Sequence, residues 1–370
     1  MQRNEPSTMY LKHLSVVNFK NIRQLELYPA AKLTCLVGSN GEGKTNLLDA
    51  LYLLSMCKSS SGLTDRQCIC HGEDFFLVKG TYHVRGGEEV VSCGCARADG
   101  KIFKRNANAY ERLADHIGML PLVMISPADS AIISESGEER RRYLNSVIAQ
   151  LDKGYLDAVT RYGRALQQRN KMLKDVRSLS YDLLEVLDEQ LSSCADEVFG
   201  KRTQLVSDLS PFFQKYYELI SQGKERVHLA YASDLKDGGL LALLKQSFAR
   251  DCALQFTSTG VHRDDLSLLL DDYPIKKLGS QGQQKTMLLA LKLAQAELLQ
   301  QRLGTPPLLL LDDIFDKLDM QRVKNLIGVI SHSALGQIFL TDSSKVRIDS
   351  LLHEVQWEYK VLEVKGGEIV

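Results

Sequence analysis

Alternating hydrophobic and polar positions predict β-structure over the first third of the chain. Residues 10–19 alternate loosely, and a second alternating run follows at residues 22–27. Because successive side chains of a strand point to opposite faces, these runs predict a β-hairpin. Residues 75–123 are also strand-like, with Gly86-Gly87 and Asp99-Gly100 as hairpin turns. We therefore expect an antiparallel sheet here.

The hydrophobic pattern becomes helical after about residue 126. Apolar residues recur every three or four positions over residues 144–162 and 184–198, as on one face of a helix. They predict a helical arm over about residues 126–221, followed by a short helix. Residues 266–270 then alternate again before Asp271-Asp272, which predicts a second hairpin.

Runs of mainly apolar residues predict strands at residues 33–37, 308–311 and 337–340. The run at residues 308–311 is apolar throughout, which is typical of a fully buried central strand. A helix is expected over residues 46–54, and a final hairpin over residues 355–364.

Composition and charge limit the possible functions. The chain has 370 residues, enough for two or three domains, and Lys plus Arg equals Asp plus Glu at 46 each. Any nucleic-acid contact must therefore come from a local basic patch. Neither a membrane span nor the apolar core of a signal peptide is visible, so we expect a cytoplasmic protein without membrane contact. Residues 1–8 show no pattern and are expected to form a mobile tail.

Four of the eight cysteines form two closely spaced pairs, Cys68-x-Cys70 and Cys93-x-Cys95. Structural zinc sites usually have two to four residues between paired cysteines, so zinc is the weaker interpretation. Two pairs of small, buried and reduced strand residues are expected instead.

A phosphate-binding loop follows the first apolar strand. Its pattern, G-x-x-x-x-G-K-[ST], places backbone N–H groups around an anion at a helix N-terminus. Lys44 would reach the β- and γ-phosphates of a bound nucleotide, and the Thr45 hydroxyl would hold Mg²⁺. The predicted nucleotide-binding residues of this segment are Gly38, Ser39, Asn40, Gly41, Glu42, Gly43, Lys44, Thr45 and Asn46.

Two carboxylates follow the apolar strand at residues 308–311. Ligands of open α/β sheets gather beyond the carboxyl ends of such strands. Asp312 would hold Mg²⁺ opposite Thr45, and Asp313 would polarise a water for attack on the γ-phosphate. Asp313 and Lys44 are therefore the predicted catalytic residues. A strand that simply ends in a polar turn is the alternative.

A second anion site is possible at Leu278-Gly279-Ser280-Gln281-Gly282-Gln283-Gln284-Lys285. Ser280 is a suitable N-cap for the strongly helix-forming stretch that follows. The local pattern is equally compatible with an ordinary capped helix.

Taken in order, these motifs resemble an ABC-type ATPase head, and within that class the RecF family of bacterial recombination-mediator ATPases. The resemblance runs from about Met9 to the end of the chain. It rests on Asn18-Phe19-Lys20-Asn21-Ile22, the phosphate loop through Asn46, Ser126-Pro127-x-Asp129 with Gly137 and paired arginines, Gly260-x-His262-Arg263-Asp264, Gly282-Gln283-Gln284-Lys285, and Leu318-Asp319.

The sequence departs from the family pattern at four places. Lys20 stands where the family usually has Arg, and Val261 where it usually has Pro. Residues 315–319 replace the commoner small-residue form of the D-loop. Ser343 and Ser344 follow Thr341-Asp342 where a transporter-type head would carry a switch histidine.

The resemblance implies an α/β fold with three parts. An ABC-type ATPase head, with a mixed sheet, flanking helices and an antiparallel β subdomain, would comprise residues 1–125 and 251–370. A helical arm, residues 126–250, would be inserted between them.

The resemblance also implies how the site works. Ser280, Gly282 and Gln283 would cap the γ-phosphate bound by a partner protomer, and Asp319 would join that nucleotide site. ATP would then drive formation of a homodimer. Because Asp313 is shorter than the glutamate of many ABC heads, turnover should be slow.

DNA and two proteins are the partners that the resemblance implies. The dimer would bind gapped or junction DNA without sequence preference and support RecA loading with RecO and RecR. Its weak ATPase would be stimulated by DNA. The best candidates for DNA contacts are Lys104, Arg105, Arg140, Arg141 and Arg142.

Other protein classes fit less well. A structural SMC protein needs hundreds of heptad residues, and the segment between Lys44 and Ser280 is too short. An ABC-headed nuclease needs a further acidic domain after Asp319. A P-loop GTPase or kinase leaves the Ser280 segment unexplained. Another short-armed SMC-like ABC ATPase, acting in DNA structure maintenance, is the alternative function.

Overall fold

The computed structural model describes residues 9–175, 180–223, 225–315, 318–332, 335–352 and 358–370. The chain divides into two compact units. Unit 1 comprises Met1–Ser130, Lys215–Lys224 and Ser280–Val370; unit 2 comprises Ala131–Gln214 and Glu225–Gly279. The tail predicted at residues 1–8 lies outside the described residues. The three-part division at residues 125/126 and 250/251 stays a prediction.

Strands and helices are numbered in chain order. The strands are β1 (Met9–Phe19), β2 (Ile22–Leu27), β3 (Leu33–Val37), β4 (Phe75–Val84), β5 (Gly87–Ala96), β6 (Gly100–Arg105), β7 (Asn108–Ala109), β8 (Leu122–Ile125), β9 (Val227–Ala232), β10 (Asp265–Leu270), β11 (Tyr273–Pro274), β12 (Leu308–Leu311), β13 (Ile338–Asp342), β14 (Tyr359–Lys365) and β15 (Glu368–Ile369). The helices are α1 (Lys44–Met56), α2 (Ala131–Ser134), α3 (Gly137–Leu151), α4 (Lys153–Leu173), α5 (Tyr181–Ser221), α6 (Leu240–Leu254), α7 (Ile275–Leu278), α8 (Gln281–Leu303), α9 (Met320–His332) and α10 (Lys345–Leu352).

Unit 1 contains the predicted antiparallel sheet, in the order β2-β1-β4-β5-β6-β7. The turn between β4 and β5 has Arg85 and Gly86 at φ 50° and 82°, the left-handed backbone that a tight hairpin turn needs. Strands β1 and β2 pair antiparallel, as do β5 and β6. The hairpins predicted from alternation and from the glycine turns are thus confirmed.

The second sheet of unit 1 has the order β15-β14-β3-β13-β12-β8. All neighbours are parallel except the pair β14–β15. Strands β3, β8, β12 and β13 are fully buried, as expected for a sheet covered on both faces. Because parallel strands end at the same edge, the segments that follow β3, β12 and β13 meet there. This edge carries the candidate site.

The final hairpin differs from the predicted one. It turns at Gly366 and Gly367, both at positive φ, and joins β14 to β15. The prediction placed it at residues 355–364, of which 355–357 lie outside the described residues. Strand β14 is instead parallel to β3, a distant pairing that local alternation does not reveal.

Unit 2 combines helices α2–α4 and α6, the part of α5 up to Gln214, α7 and a three-stranded sheet, β11-β10-β9. The predicted helical arm is helical from Ala131 and, within the described residues, continues to Ser221. Residues 126–130 belong to unit 1 rather than to the arm. The sequence analysis missed β9, although Val227, Leu229 and Tyr231 alternate with more exposed residues as in a strand.

The two cysteine pairs occupy different structures. Cys93 and Cys95 lie buried on β5, as predicted. Cys68 instead ends a short 3₁₀ turn and Cys70 follows it, so the prediction of strand residues was wrong there. The Cys68 carbonyl accepts from the backbone N–H of Lys20, and the Cys70 N–H donates to the Asn18 carbonyl. These bonds hold both cysteines in buried positions. Burial raises the pKa of the Cys93 thiol to about 12.

No helix within the described residues combines the length and the apolar composition that crossing a bilayer requires.

Candidate nucleotide site

The phosphate loop joins β3 to α1, as predicted. Gly38, Gly41 and Gly43 have φ values of 154°, 87° and 109°. A Cβ on Gly38 would overlap the carbonyl oxygen of Val364, so a side chain there is excluded by close approach of the backbone of β14. The loop therefore needs glycine at Gly38 for space and at Gly41 and Gly43 for backbone conformation.

The Lys44 ammonium folds back over the loop. Its Nζ donates to the carbonyl oxygens of Gly38 at 2.7 Å and Ser39 at 2.9 Å, and the residue is only 4% exposed. Lys44 is thus held at the centre of the loop, where an incoming phosphate would meet its positive charge.

Side chains on either side of the loop brace it. Asn21 donates to the Gly41 carbonyl at 3.3 Å and accepts from the Asn46 amide at 2.8 Å. The backbone N–H of Gly367 donates to the Glu42 carbonyl at 2.8 Å, and the Gly366 N–H donates to the Glu42 carboxylate. Asn46 and Glu42, predicted to bind nucleotide, are therefore both engaged in holding the loop.

The sheet edge brings Thr45 and Asp312 together. The Thr45 hydroxyl lies 2.9 and 3.0 Å from the two carboxylate oxygens of Asp312, although the residues are 267 positions apart. Burial raises the pKa of Asp312, and bonds from Thr341 and Thr45 oppose that rise. Hydroxyl and carboxylate oxygens are ligands that Mg²⁺ prefers, so this donor set fits the ion.

Thr341, at the end of β13, is a site residue that the sequence analysis missed. Its hydroxyl donates to Asp312 at 2.8 Å and accepts from the backbone N–H of Asp313 at 3.0 Å. Asp313 has φ 45°, a left-handed conformation unusual for a non-glycine residue. Thr341 therefore fixes both acidic residues at once. The signal was present in the predicted strand at residues 337–340, because Thr341 directly follows it.

Ser280 is the N-cap of α8, as predicted. It forms a capping box with Gln283: the Gln283 N–H donates to Ser280 Oγ at 3.2 Å, and the Ser280 N–H donates to Gln283 Oε1 at 2.7 Å. Ser280 is exposed, and Gly282 and Gln283 are partly exposed. Both capping bonds join residues of the same helical turn. The contact between Thr45 and Asp312, in contrast, joins two segments that are distant in the sequence.

Asp319 begins α9. Its carboxylate accepts from the backbone N–H of Arg322 at 2.9 Å, and its carbonyl accepts from the Val323 N–H at 3.1 Å. It is therefore a helix cap. Residues 316 and 317 of the predicted D-loop lie outside the described residues.

Two of the basic DNA candidates have internal partners in unit 2. Arg140 makes two bonds to the Asp265 carboxylate, at 2.6 and 2.9 Å, and Arg141 donates to the Asp264 carbonyl at 2.7 Å. Burial lowers the pKa of Arg141. Arg140 and Arg141 thus bond the end of the Gly260–Asp264 motif and the residue after it. Contact of either arginine with DNA stays a prediction.

The other three candidates remain at the surface. Arg142 pairs with Glu138 and Glu139 while 65% exposed, and Arg105 pairs with Glu89 in unit 1. Lys104 is exposed on β6.

His262 lies in a buried network of unit 2. Its Nδ1 accepts from the Tyr162 hydroxyl at 2.7 Å, and its Nε2 donates to the Thr257 carbonyl at 3.0 Å. Burial lowers the pKa of His262 to about 4. Nearby, Arg202 donates to the carbonyl of Val261 at 2.7 Å. Because this bond uses the backbone, valine can stand where the family usually has proline.

Known proteins with similar sequences show the family of this chain. Residues 9–116 match a family model described as an AAA ATPase domain. The DNA replication and repair protein RecF of Phocaeicola vulgatus is 48% identical over 363 residues, which cover 98% of each chain. This chain belongs to the RecF family.

Solved structures agree with the family and with the predicted fold class. A structure of the recombination mediator protein RecF-ATP in the RecFOR pathway is 28% identical and covers 100% of this chain and 99% of its own, with a TM-score of 0.88. An SMC head bound to the C-winged helix domain of ScpA is 15% identical, with a TM-score of 0.59 and coverage of 98% and 97%. Together they confirm that this RecF-family chain has the α/β fold of an ABC-type ATPase head.

Proposed function

We propose that this chain is an ATP-dependent DNA-binding protein of recombinational repair and replication, in which ATP joins two heads. The contact of Thr45 with Asp312 carries the proposal, because it unites the phosphate loop with a buried carboxylate at one sheet edge. Family membership and the matched ATPase domain support ATP as the nucleotide.

Each residue of the site would have its own role in ATP binding or hydrolysis. Backbone N–H groups of the loop and the Lys44 ammonium would bind the phosphates of ATP. Thr45 and Asp312 would hold Mg²⁺, which supplies charge neutralisation for phosphoryl transfer. Asp313, positioned by Thr341, would orient and polarise the attacking water. A short carboxylate held in this way favours slow turnover, suited to a switch.

The signature turn, residues 280–283 at the start of α8, would act on the nucleotide bound by the partner protomer. Ser280, Gly282 and Gln283 present the N-terminus of a long helix, and Ser280 and Gln283 already order each other. A second copy that offers its γ-phosphate would meet preorganised N–H donors. Asp319, which begins α9, would lie beside that composite site. ATP binding would thus favour the dimer, and hydrolysis would release it.

DNA would be bound through its phosphates, without sequence readout. Arg142 and Lys104 are the exposed cations that we assign to this role, with Arg105 available if it exchanges Glu89 for phosphate. The protein would recognise gapped or junction DNA and support RecA loading with RecO and RecR. The RecFOR context of the solved RecF relative supports this role.

Dimerisation can be tested by light scattering with ATP and Mg²⁺. The parent should form dimers, whereas Lys44→Met and Ser280→Arg should each stay monomeric. An equimolar mixture of the two variants should recover heterodimers, because one composite site then keeps both Lys44 and Ser280. Lys58→Met is the matched control, since Lys58 is exposed and outside the loop. Dimers of Lys44→Met as stable as those of the parent would contradict the proposal.

DNA binding is tested in parallel with gapped duplex. The parent should bind it more tightly with ATP than without, and with little dependence on sequence. DNA binding of the parent that is equally tight with and without ATP would contradict the proposal.

A further inference from the structure

Arg322 connects two segments of the candidate site within one protomer. Its Nε lies 3.5 Å from a carboxylate oxygen of Asp319, three residues earlier, and its backbone N–H donates to the other oxygen at 2.9 Å. The Arg322 side chain is 24% exposed and that of Asp319 is 59% exposed. The guanidinium is therefore tethered to the start of α9.

The same guanidinium lies against Gly282 of the signature turn. A Cβ added to Gly282 would overlap Arg322 Nη1 and would lie 3.5 Å from Cζ. The Gly282 carbonyl already accepts from the Thr286 hydroxyl at 2.8 Å. Arg322 thus packs on the space left by a missing side chain and brings its charge to the first turn of α8.

This position is electrostatically unfavourable for the isolated protomer. The N-terminus of a helix carries partial positive charge, so a cation beside it is destabilising unless an anion is near. The Asp319 carboxylate offsets only part of that charge, because it is exposed and its Oδ2 lies 3.5 Å from Arg322 Nε. A polyphosphate that approaches the signature turn would relieve the repulsion.

We propose that Arg322 is a positioning residue that links the Asp319 segment to the signature turn and strengthens closure on the partner's nucleotide. The inference rests on the proposed function, because it requires the signature turn to act in trans. The contacts of Arg322 with Asp319 and Gly282 lie outside the phosphate loop. Loss of Arg322 should therefore affect dimer closure rather than the binding of ATP to a single head.

The test compares Arg322→Ala, Arg322→Lys and Gly282→Ala with Lys324→Ala, which removes a charge from an exposed position of the same helix. Fluorescent-nucleotide titration at low protein concentration measures ATP binding to single heads. Sedimentation with saturating ATP measures the dimer dissociation constant, and steady-state assays separate kcat from KM. Thermal unfolding of each variant reports whether the fold is kept.

For Arg322→Ala, we expect ATP affinity of single heads within about twofold of the parent and a dimer dissociation constant about tenfold higher. The kcat should fall while KM stays the same. Arg322→Lys should recover part of the dimerisation because it keeps the charge, Gly282→Ala should weaken dimers by displacing the guanidinium, and Lys324→Ala should match the parent.

Two outcomes distinguish failure of the proposed role of Arg322 from failure of the proposed function of the protein. If the parent dimerises with ATP and Arg322→Ala does so equally well, the role of Arg322 is overturned and the proposed function stands. If the parent itself forms no ATP-dependent dimer, the proposed function fails.

Discussion

The ammonium of Lys20 lies 2.7 Å from the carboxylate of Asp49, and both side chains are largely buried, at 10% and 1% exposure. Asp49 is on α1, the helix that follows the phosphate loop. Ser59 Oγ and the N–H and hydroxyl of Ser60 also donate to it. Lysine therefore supplies a buried counter-charge at the position where the family usually has arginine.

Removing that counter-charge should destabilise unit 1. Lys20→Met leaves the Asp49 carboxylate buried with hydroxyl and amide donors only, so we expect a loss of about 3 kcal/mol in the free energy of unfolding. Urea denaturation followed by circular dichroism measures it. Lys20→Arg should lose much less, and Lys58→Met, at an exposed position, should match the parent. A Lys20→Met protein as stable as the parent would show that the serine bonds suffice.

Thr341 should matter for hydrolysis more than for binding. Thr341→Val removes the hydroxyl that holds Asp312 and accepts from the Asp313 N–H. The kcat for ATP should therefore fall roughly 10- to 100-fold, since misplacing a reacting group by ~1 Å can cost about 100-fold. Affinity for ATP should change little because the phosphate loop is intact. Steady-state turnover and nucleotide titration measure the two quantities. Thr341→Ser keeps the hydroxyl and should retain most activity; equal loss in both variants would argue against the hydrogen bonds as the cause.

Unit 2 should lose stability in mild acid through His262. Its pKa is lowered from 6.5 to about 4, so the unfolded chain binds a proton more readily between these values. The contribution of neutral His262 to the free energy of unfolding is complete above about pH 6.5 and is lost as the pH falls toward 4. From pH 7.5 to 5 we expect a loss of about 2 kcal/mol from this group. Urea denaturation at both pH values measures it, with His262→Gln as the control. An unchanged pH dependence in that variant would assign the loss to other groups.

Sequence reasoning located the parts of the site that depend on local pattern. The phosphate loop has fixed spacing, the strand before Asp312 is uniformly apolar, and Ser280 precedes a strong helix former. Each of these signals lies within about ten residues, the range over which periodicity and capping operate.

The parts that it missed depend on contacts between distant segments. Thr341 matters only because β13 lies beside β12. The local alternation of apolar and polar residues does not reveal strand order in a parallel sheet. The ion pair between Arg140 and Asp265 was not visible in the sequence, because the two residues are 125 positions apart. Likewise, the parallel pairing of β14 with β3 was missed because β3 is near the other end of the sequence.

The pairing of β3 with β13 and β14 also has a consequence for biosynthesis. The strand that leads into the phosphate loop leaves the ribosome early, but both of its sheet neighbours are made more than 300 residues later. The loop itself is braced by Gly366 and Gly367. Until these residues emerge, β3 has two open edges, so the nascent chain must keep an apolar strand from premature pairing throughout most of its translation.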